Sequence, residues 1–253
     1  MFNFEINYEE LIWGDKFKNI SKIKYLKIDD AFNYISKNFS QLPIISHNGD
    51  YPVDERYEKY IDNFPVWYGQ NVTAKHIKFI PIPIGLENDY VTNSVEKKHM
   101  LVRTSNHHIC TKSSKLMYVN HNIGTNQSQR QEPYIIFFTN DWATVEHGGG
   151  FTYQQSYYSK ILQHDFTLSP PGNGVDCHRT WEILYLRRIP ILKRIGKMEE
   201  LYADLPVLFI DQYEEICRDF LQEKLEEIKS RKFNFEKLKF NYWKSLVLSN
   251  DNV

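Results

Sequence analysis

Residues 166–186 concentrate residue types that could hold a phosphorylated ligand. An apolar run leads into the turn Pro170–Gly174, and the helix predicted after it carries His178 and Arg179 near its start. Glycine is scarce, at 11 of 253 residues, yet five of the 11 lie between Gly148 and Gly174. Glycine lets the backbone approach a ligand closely, and the free N–H groups of a helix N-terminus favour phosphate, as does arginine. The turn therefore predicts a phosphate-binding site.

Glu182 extends this candidate site. It lies one turn after His178 and Arg179 on the same predicted helix face. Its carboxylate could there accept hydrogen bonds from both hydroxyls of a ribose. An ordinary helix start capped by Asp176, with a surface pair between Arg179 and Glu182, explains the same residues, so both interpretations stay open.

A second polar loop, His47–Asp50, follows another apolar run. A side chain in this loop could take a proton from a reacting hydroxyl group. Asp50 is the predicted general base, and His47 is the alternative because imidazole titrates near neutral pH. An Asx turn or a helix N-cap would also account for both residues.

Short apolar runs alternate with amphipathic stretches along the chain. The predicted strands are residues 23–28, 42–46, 66–68, 79–84, 116–119, 165–169, 189–192 and 207–210, and the predicted helices are 29–39, 53–64, 128–138, 153–164, 177–186, 214–230 and 235–246. Strands separated by helices indicate parallel βαβ units. The predicted fold class is α/β with two Rossmann-like halves, and ligands are expected at the loops after Ser46, Val119, Ser169 and Leu192.

The polar segment Asn88–Lys112 has weak periodicity and is the predicted junction between the halves. This division predicts domains at residues 1–100 and 101–235, followed by a C-terminal helix or tail at 236–253. The net charge of −1 argues against a nucleic-acid partner. No window approaches the about 18 apolar residues of a membrane span. Three cysteines without CxxC spacing indicate a reducing compartment, so a cytoplasmic protein is expected.

The sequence resembles the exostosin-type glycosyltransferases, which form glycosyltransferase family 47. The most specific part of the resemblance is Ser169–Leu192, where a Pro-Gly turn, an arginine and a helical glutamate precede an Ile-Pro strand. In all, the resemblance runs from about Leu42 to Asp211. The segment Leu205–Asp211 continues this match, whereas the upstream matches at Ile45–Asp50, Trp67–Asn71, Ile82–Asn88 and Val119–Asn126 with Arg130 are looser.

This resemblance implies a GT-B architecture of two Rossmann-like domains, with the N-terminal, acceptor-side domain reduced because the chain is short. It implies transfer from a nucleoside-diphosphate sugar to a hydroxyl of a glycan or glycoprotein, with inversion at the anomeric carbon. The donor would be linked to uridine diphosphate, as UDP-xylose is. Without an anchor or stem, the chain is expected to be a soluble viral or bacterial-type member.

An inverting transfer needs a base for the acceptor hydroxyl and positive charge at the leaving diphosphate. Asp50 is the predicted base, with His47 as the alternative, Arg179 is assigned to the diphosphate with support from Arg130 and the Gly172–Gly174 amides, and Glu182 is assigned to the ribose. No two aspartates are separated by one residue, so the metal site of an Asp-x-Asp motif is absent. A metal-independent reaction without a cofactor is therefore expected, in which fixed cations stabilise the diphosphate. The full set of predicted donor-binding residues is Asn120, Asn122, Arg130, Ser169, Gly172, Asn173, Gly174, Asp176, His178, Arg179 and Glu182.

Two further expectations concern particular residues, and two concern other functions. Arg187 and Arg188 replace a small residue and glycine of the family pattern, which could narrow or recharge the donor pocket. Gly148–Gly150 could form a flap over the cleft, or only a flexible connection. A non-catalytic module that binds a sugar nucleotide or a glycan is the alternative function, and it would not need Asp50. A P-loop kinase is disfavoured because no Gly-x-x-x-x-Gly-Lys-Ser/Thr motif is present.

Overall fold

The computed structural model describes residues 2–107, 112–147 and 154–249. Gly148–Gly150, the predicted flap, lie outside these residues. Within the described chain, the N-terminal half forms a four-stranded sheet in the order β1-β2-β3-β4, with every neighbouring pair parallel. Its elements are a 3-10 helix at Tyr8–Glu10, α1 (Gly14–Phe17), β1 (Lys24–Lys27), α2 (Ile28–Ile35), β2 (Ile44–His47), a 3-10 helix at Glu55–Asn63, β3 (Trp67–Gly69) and β4 (Phe79–Pro81).

Helix α3 (Ser94–His107) connects this half to a second parallel sheet. The strands of that sheet stand in the order β6-β5-β7-β8-β9 in the described part of the chain. Its elements are β5 (Lys115–Val119), a 3-10 helix at Ile123–Thr125, α4 (Gln127–Arg130), α5 (Glu132–Phe137), β6 (Ala143–Val145), α6 (Gln154–Gln163), β7 (His164–Leu168), α7 (His178–Tyr185), β8 (Ile189–Lys193), α8 (Met198–Leu201), β9 (Leu208–Ile210), a 3-10 helix at Tyr213–Glu215, α9 (Arg218–Ser230), a 3-10 helix at Phe235–Leu238 and α10 (Phe240–Ser249).

The strand order of the second sheet reverses direction at β5. The chain passes from β5 to β6 on one side and then returns to place β7 on the other side. Such a reversal opens a crevice at the carboxyl ends of the two strands that flank it, and ligands of open α/β sheets bind there. The topology therefore directs attention to the loops that follow β5 and β7.

A shared hydrophobic core joins the two halves. One cluster of buried side chains contains Tyr68 of β3, Tyr118 of β5 and Trp181 of α7. Helix α10 adds Trp243 and Val247 to the same cluster. The two sheets are thus packed into one body, with the C-terminal helix contributing to the core between them.

The predicted fold class, α/β with two parallel sheets, is confirmed. All eight predicted strands are present within a few residues of their expected positions, but β6 was not predicted. This edge strand has only three residues, all half-buried. A strand so short gives no alternation that could be recognised in the sequence.

Two helix predictions are wrong in detail, and one helix was not predicted. Residues 53–64 form a 3-10 helix rather than a regular α-helix, and residues 128–138 divide into α4 and α5. The weakly periodic segment at 88–112 contains the 14-residue helix α3. Its buried positions, Ser94, Lys98, Leu101 and Ser105, keep helical spacing, but all except one are polar. Hydrophobic periodicity therefore could not reveal the helix.

The predicted boundary between residues 100 and 101 falls inside α3, and the boundary at 235–236 falls inside a 3-10 helix. The division into domains stays a prediction. None of the described helices is both long enough and apolar enough to cross a membrane.

Gly85→Ala tests how the N-terminal segment packs against the chain leaving β4. Gly85 has a φ of +65°, and a Cβ here would lie 2.3 Å from the carbonyl oxygen of Ile12. We expect a loss of about 2 kcal/mol in the free energy of unfolding, because the left-handed conformation and the overlap both disfavour alanine. Urea denaturation measures the loss.

Gly124→Ala is the matched control, since the nearest atom to its added Cβ is Asn122 Oδ1 at 3.3 Å and the position is exposed. Equal stability of the Gly85 and Gly124 variants would show that the close approach at Gly85 is absent.

Candidate functional site

A cavity of about 180 Å³ lies between the two halves of the protein. Loops that follow β2, β3 and β4 form most of its wall, and the first residue of α7 completes it from the other half. Polar side chains predominate in the lining, which includes His47, Asn48, Asp50, Gln70, Glu87 and His178. The predicted base and a predicted donor-binding residue therefore share one cleft.

The side chain of Arg130 holds the glycine turn, which is the segment Pro170–Gly174. Its buried guanidinium donates to the carbonyl oxygens of Pro171 (2.8 Å), Asn122 (3.2 Å) and Pro170 (3.4 Å). A Cβ on Gly172 would lie 2.9 Å from Nη2 of Arg130, so the guanidinium packs directly against this turn. The donors of Arg130 thus stabilise the turn, and this geometry favours an indirect role over a direct contact with phosphate.

Three other predicted donor residues lie at the same sheet edge, and two of them have hydrogen-bond partners within the protein. Asn122 accepts a hydrogen bond from the backbone N–H of Gly124 at 2.9 Å and caps a 3-10 helix. Ser169 is buried, and its hydroxyl is 2.9 Å from that of Thr180. Asn120 is buried directly after β5. Their geometry shapes the loops around the crevice.

Asp176 lies at the junction of the two halves. Its buried carboxylate accepts hydrogen bonds from the backbone N–H of Ile84 (2.8 Å), from Trp181 Nε1 (3.1 Å) and from the hydroxyl of Tyr202 (2.5 Å). Burial raises the pKa of this carboxyl, and the three hydrogen bonds oppose that shift. These bonds make Asp176 a structural link between the halves.

The turn and the start of α7 also contact the N-terminal half. Asn173 Nδ2 donates to the Asp50 carboxylate at 3.1 Å. His178 Nδ1 donates to the carbonyl oxygen of Gly85 at 2.7 Å, which fixes the orientation of its ring. A Cβ on Gly174 would lie 2.4 Å from Nδ2 of Asn71. The structure therefore brings Asp50, the predicted base, beside the glycine turn.

Arg179 is positioned differently from Arg130. Its guanidinium carbon lies 5.3 Å from the ring centroid of Tyr157, a cation–π contact. The Nη1 atom is buried and has no hydrogen-bond partner among the described residues. A buried N–H without a partner costs free energy. A ligand oxygen at this position would remove that cost.

Two further buried atoms without a partner in the described chain lie near Arg179. His121, which follows β5, donates from Nε2 to the carbonyl of Arg130 at 2.8 Å, which leaves Nδ1 unpaired. Burial lowers the pKa of His121 to about 3, with the charge of Arg179 acting in the same direction. The hydroxyl of Tyr157 is also unpaired, and burial raises its pKa. The crevice thus offers both an acceptor and donors to a polar ligand.

Glu182 lies one turn further along α7, as the sequence predicts. Burial raises the pKa of its carboxyl, while the charge of Arg179 lowers it. Its nearest side-chain partners are distant, with Tyr158 Oη at 3.3 Å and Gln154 Nε2 at 3.4 Å. Such long contacts leave the carboxylate able to accept stronger hydrogen bonds from a ligand.

His47 is poorly suited to act as a base. It is buried, and its Nε2 donates to the carbonyl of Pro83 at 2.9 Å. Burial lowers the pKa of the imidazole to about 4. Asp50, in contrast, is exposed in the cleft. This geometry favours Asp50 of the two candidates.

The expected effect of Arg187 and Arg188 on the donor pocket is wrong. Both residues precede β8 and therefore lie at the amino end of the sheet, opposite the crevice. Arg187 Nη1 donates to the hydroxyl of Ser105 at 2.6 Å, and Arg188 Nη2 donates to the carbonyl of Leu162 at 2.6 Å. The two arginines bind α3 and α6 rather than the donor site.

Several residues at the site were not predicted. His121 lies between Asn120 and Asn122, and only these two neighbours were predicted to bind the donor. Gln70 lies in the matched segment Trp67–Asn71, but no function was predicted for it. Glu146 follows the unpredicted strand β6 and accepts a hydrogen bond from the hydroxyl of Tyr118 at 2.9 Å. Their position directly after parallel strands is the signal that could have found them.

In the described ranges, no three His, Cys, Asp or Glu side chains cluster closely enough to hold a metal ion. The metal-independent mechanism stays a prediction of the sequence.

Comparisons with known proteins find only distant similarity. No family model matches the chain, and no curated protein matches it in sequence. Among solved structures, the pneumococcal O-GlcNAc transferase GtfA in complex with UDP and GlcNAc has 11% identity and a TM-score of 0.38, with 94% of this chain covered. A glycosyltransferase from Rickettsia africae has 8% identity and a TM-score of 0.35, with 94% of this chain and 79% of that one covered.

The chain spans 59% of the length of the pneumococcal protein. Both solved structures are glycosyltransferases, whereas the exostosin-type family stays a prediction.

The buried histidines predict a pH dependence of stability. An unfolded histidine takes up a proton near pH 6.5, but folded His47 does so only near pH 4 and His121 near pH 3. Between these values the unfolded state binds more protons, so the free energy of unfolding falls as the pH falls from about 6.5 to 4. Each group contributes a slope of up to about 1.4 kcal/mol per pH unit.

Urea denaturation at pH 7 and pH 5 measures this slope. His47→Gln keeps a side-chain N–H donor but does not titrate, so it should reduce the difference between the two pH values. His99→Gln, at an exposed histidine, is the control and should leave the difference unchanged. A difference between the two pH values that is the same in the wild type and in His47→Gln would contradict the neutral, buried state of the His47 ring.

Proposed function

We propose that this protein is a glycosyltransferase that moves a sugar from a nucleoside diphosphate to a hydroxyl of a glycan or glycoprotein. The observation that carries the proposal is the guanidinium of Arg179, whose buried Nη1 has no partner in the described chain. This cation lies on the first turn of α7, beside the crevice where the strand order reverses. A helix N-terminus and an arginine at such a crevice suit a diphosphate.

The neighbouring residues supply the other parts of a donor site. Glu182 can accept hydrogen bonds from the ribose hydroxyls, and the backbone of Gly172–Gly174 can approach the diphosphate. The acceptor would enter from the cleft between the halves, where Asp50 is exposed. Two parallel α/β halves with a polar cleft between them suit a GT-B enzyme, and the resemblance of the sequence to exostosin-type enzymes implies a UDP-linked donor such as UDP-xylose.

The chemical step would then be a single displacement. The acceptor hydroxyl oxygen attacks the anomeric carbon, and its proton passes to the carboxylate of Asp50. The bond from the anomeric carbon to the diphosphate oxygen breaks, and its electron pair stays on the diphosphate. Arg179 stabilises that developing negative charge without a metal ion. Attack opposite to the leaving group inverts the anomeric carbon.

Arg179→Ala is the direct test of the donor site. We expect calorimetry with UDP, GDP and UDP-xylose to show binding of at least one nucleotide by the wild type, unchanged by EDTA. The variant should bind that nucleotide about 10- to 100-fold more weakly, because it loses a charge-assisted hydrogen bond. Arg218→Ala is the control, since this exposed arginine pairs with Asp141 away from the crevice. No binding by the wild type at millimolar nucleotide would overturn the proposal.

Asp50→Asn separates an enzyme from a non-catalytic binding module. An amide cannot take the proton, so release of UDP from UDP-xylose should fall at least about 100-fold, a typical contribution of a general base. UDP affinity should change less than about threefold, because Asp50 does not contact the diphosphate in this proposal. If the wild type binds UDP-xylose and no acceptor or water supports turnover, the binding module is the better description.

A further inference from the structure

Gln70 and Asn71 occupy the point where the two halves meet. They follow β3 directly, and each is only 2% exposed. Asn71 has a φ of +56°, a left-handed conformation that asparagine tolerates better than most residues. Buried amides are retained where both their polar ends are bonded. The partners of these two amides therefore show what the pair does.

The amide of Gln70 holds the backbone of the loop that carries Asp50. Its Oε1 accepts a hydrogen bond from the N–H of Asn48 at 3.1 Å, and its Nε2 donates to the carbonyl of Gly49 at 2.8 Å. The backbone N–H of Gln70 also donates to the carbonyl of Ser46 at 3.1 Å. Three hydrogen bonds thus fix the loop immediately before Asp50.

The amide of Asn71 reaches from this loop to the other half. Its Oδ1 accepts a hydrogen bond from the N–H of Asp176 at 2.9 Å, and its Nδ2 donates weakly to the carbonyl of Asp50 at 3.4 Å. Its side chain also fills the space where a Cβ of Gly174 would lie, 2.4 Å from Nδ2. One side chain therefore contacts both the Asp50 loop and the glycine turn.

Neighbouring contacts reinforce this link on either side. The Asp176 carboxylate accepts from the N–H of Ile84 at 2.8 Å. On the other side, the N–H of Lys197 donates to the carbonyl of Val72 at 3.1 Å, and Gly196 packs against Thr73. The segment after β3 is consequently held between two loops of the second half.

We propose that Gln70 and Asn71 are positioning residues for the transfer reaction, which hold Asp50 at a fixed separation from the glycine turn and from Arg179. This inference rests on the proposed function. It implies that the cleft is assembled before the nucleotide sugar binds, because every donor and acceptor of these hydrogen bonds belongs to the protein. Neither residue needs to touch the donor or the acceptor.

Amide hydrogen exchange tests the link without any turnover. In the ligand-free protein, the N–H of Asp176 should be protected, because it is bonded to Asn71 Oδ1. Asn71→Ala should speed its exchange at least about tenfold. Asn93→Ala is the matched control, since Asn93 is another asparagine with a positive φ but is exposed before α3.

Addition of UDP distinguishes the two ways in which the inference could fail. Protection of Asp176 that appears only with UDP would show that the halves close on binding, and would overturn the inference. If UDP does not bind, the proposed function fails. Protection of the Asp176 N–H in the free protein would still show that its hydrogen bond to Asn71 is formed.

The steady-state release of UDP from UDP-xylose tests the positioning role itself. Asn71→Ala should lower kcat at least about tenfold while KM changes less than about threefold, because the donor contacts of Arg179 and Glu182 remain while the placement of Asp50 relative to the glycine turn is lost. Asn93→Ala should change neither constant. A rise in KM at constant kcat, or no change at all, would overturn the role.

A double-mutant cycle tests the contact between Asn71 and Gly174. Gly174→Ala should lower kcat in the wild-type background, because its Cβ would overlap the Asn71 side chain. In the Asn71→Ala background the same change should lower kcat by less, since the overlapping atoms are gone. Additive effects of the two substitutions would show that Asn71 does not act through the glycine turn.

Discussion

The buried carboxylate of Asp176 is the interaction on which the arrangement of the two halves depends. Burying a charge without partners costs several kcal/mol. Here the backbone of Ile84 donates from one half, and Trp181 and Tyr202 donate from the other. Because these donors come from both halves, separating the halves would leave the carboxylate short of a partner. The cleft exists in its observed form because this requirement holds its two walls together.

Satisfied and unsatisfied polar groups divide the site into scaffold and binding surface. Arg130 forms hydrogen bonds with the backbone of the glycine turn and of Asn122, and Gln70 forms them with the backbone of Asn48 and Gly49. These two side chains therefore determine where the loops lie. Arg179 and His121 each keep a buried atom that no described residue satisfies. The two arginines are alike in charge and close in space, yet only Arg179 has a buried N–H left for a ligand. Their hydrogen-bond partners, rather than their residue type, separate their roles.

Much of the architecture could be predicted from the sequence, and the failures have identifiable physical causes. The strands β2 and β8 carry buried apolar side chains on both faces, which is typical of parallel sheets covered by helices. Helix α3 was missed because it buries serine and lysine instead of an apolar stripe. The role expected of Arg187 and Arg188 was wrong because the family pattern gave their place in the sequence but not the end of the sheet at which they lie.

The sequence by itself determined the α/β class, the two parallel sheets and the concentration of polar residues at the carboxyl ends of strands, since these follow from local periodicity and from turn residues. It also identified Asp50, Arg179 and Glu182 as candidates by residue type. Only the tertiary structure decided that Asn173 meets Asp50 across 123 positions of the chain, and that His47 is buried and neutral. Contacts between distant segments and the burial of a side chain depend on packing, which no local pattern records.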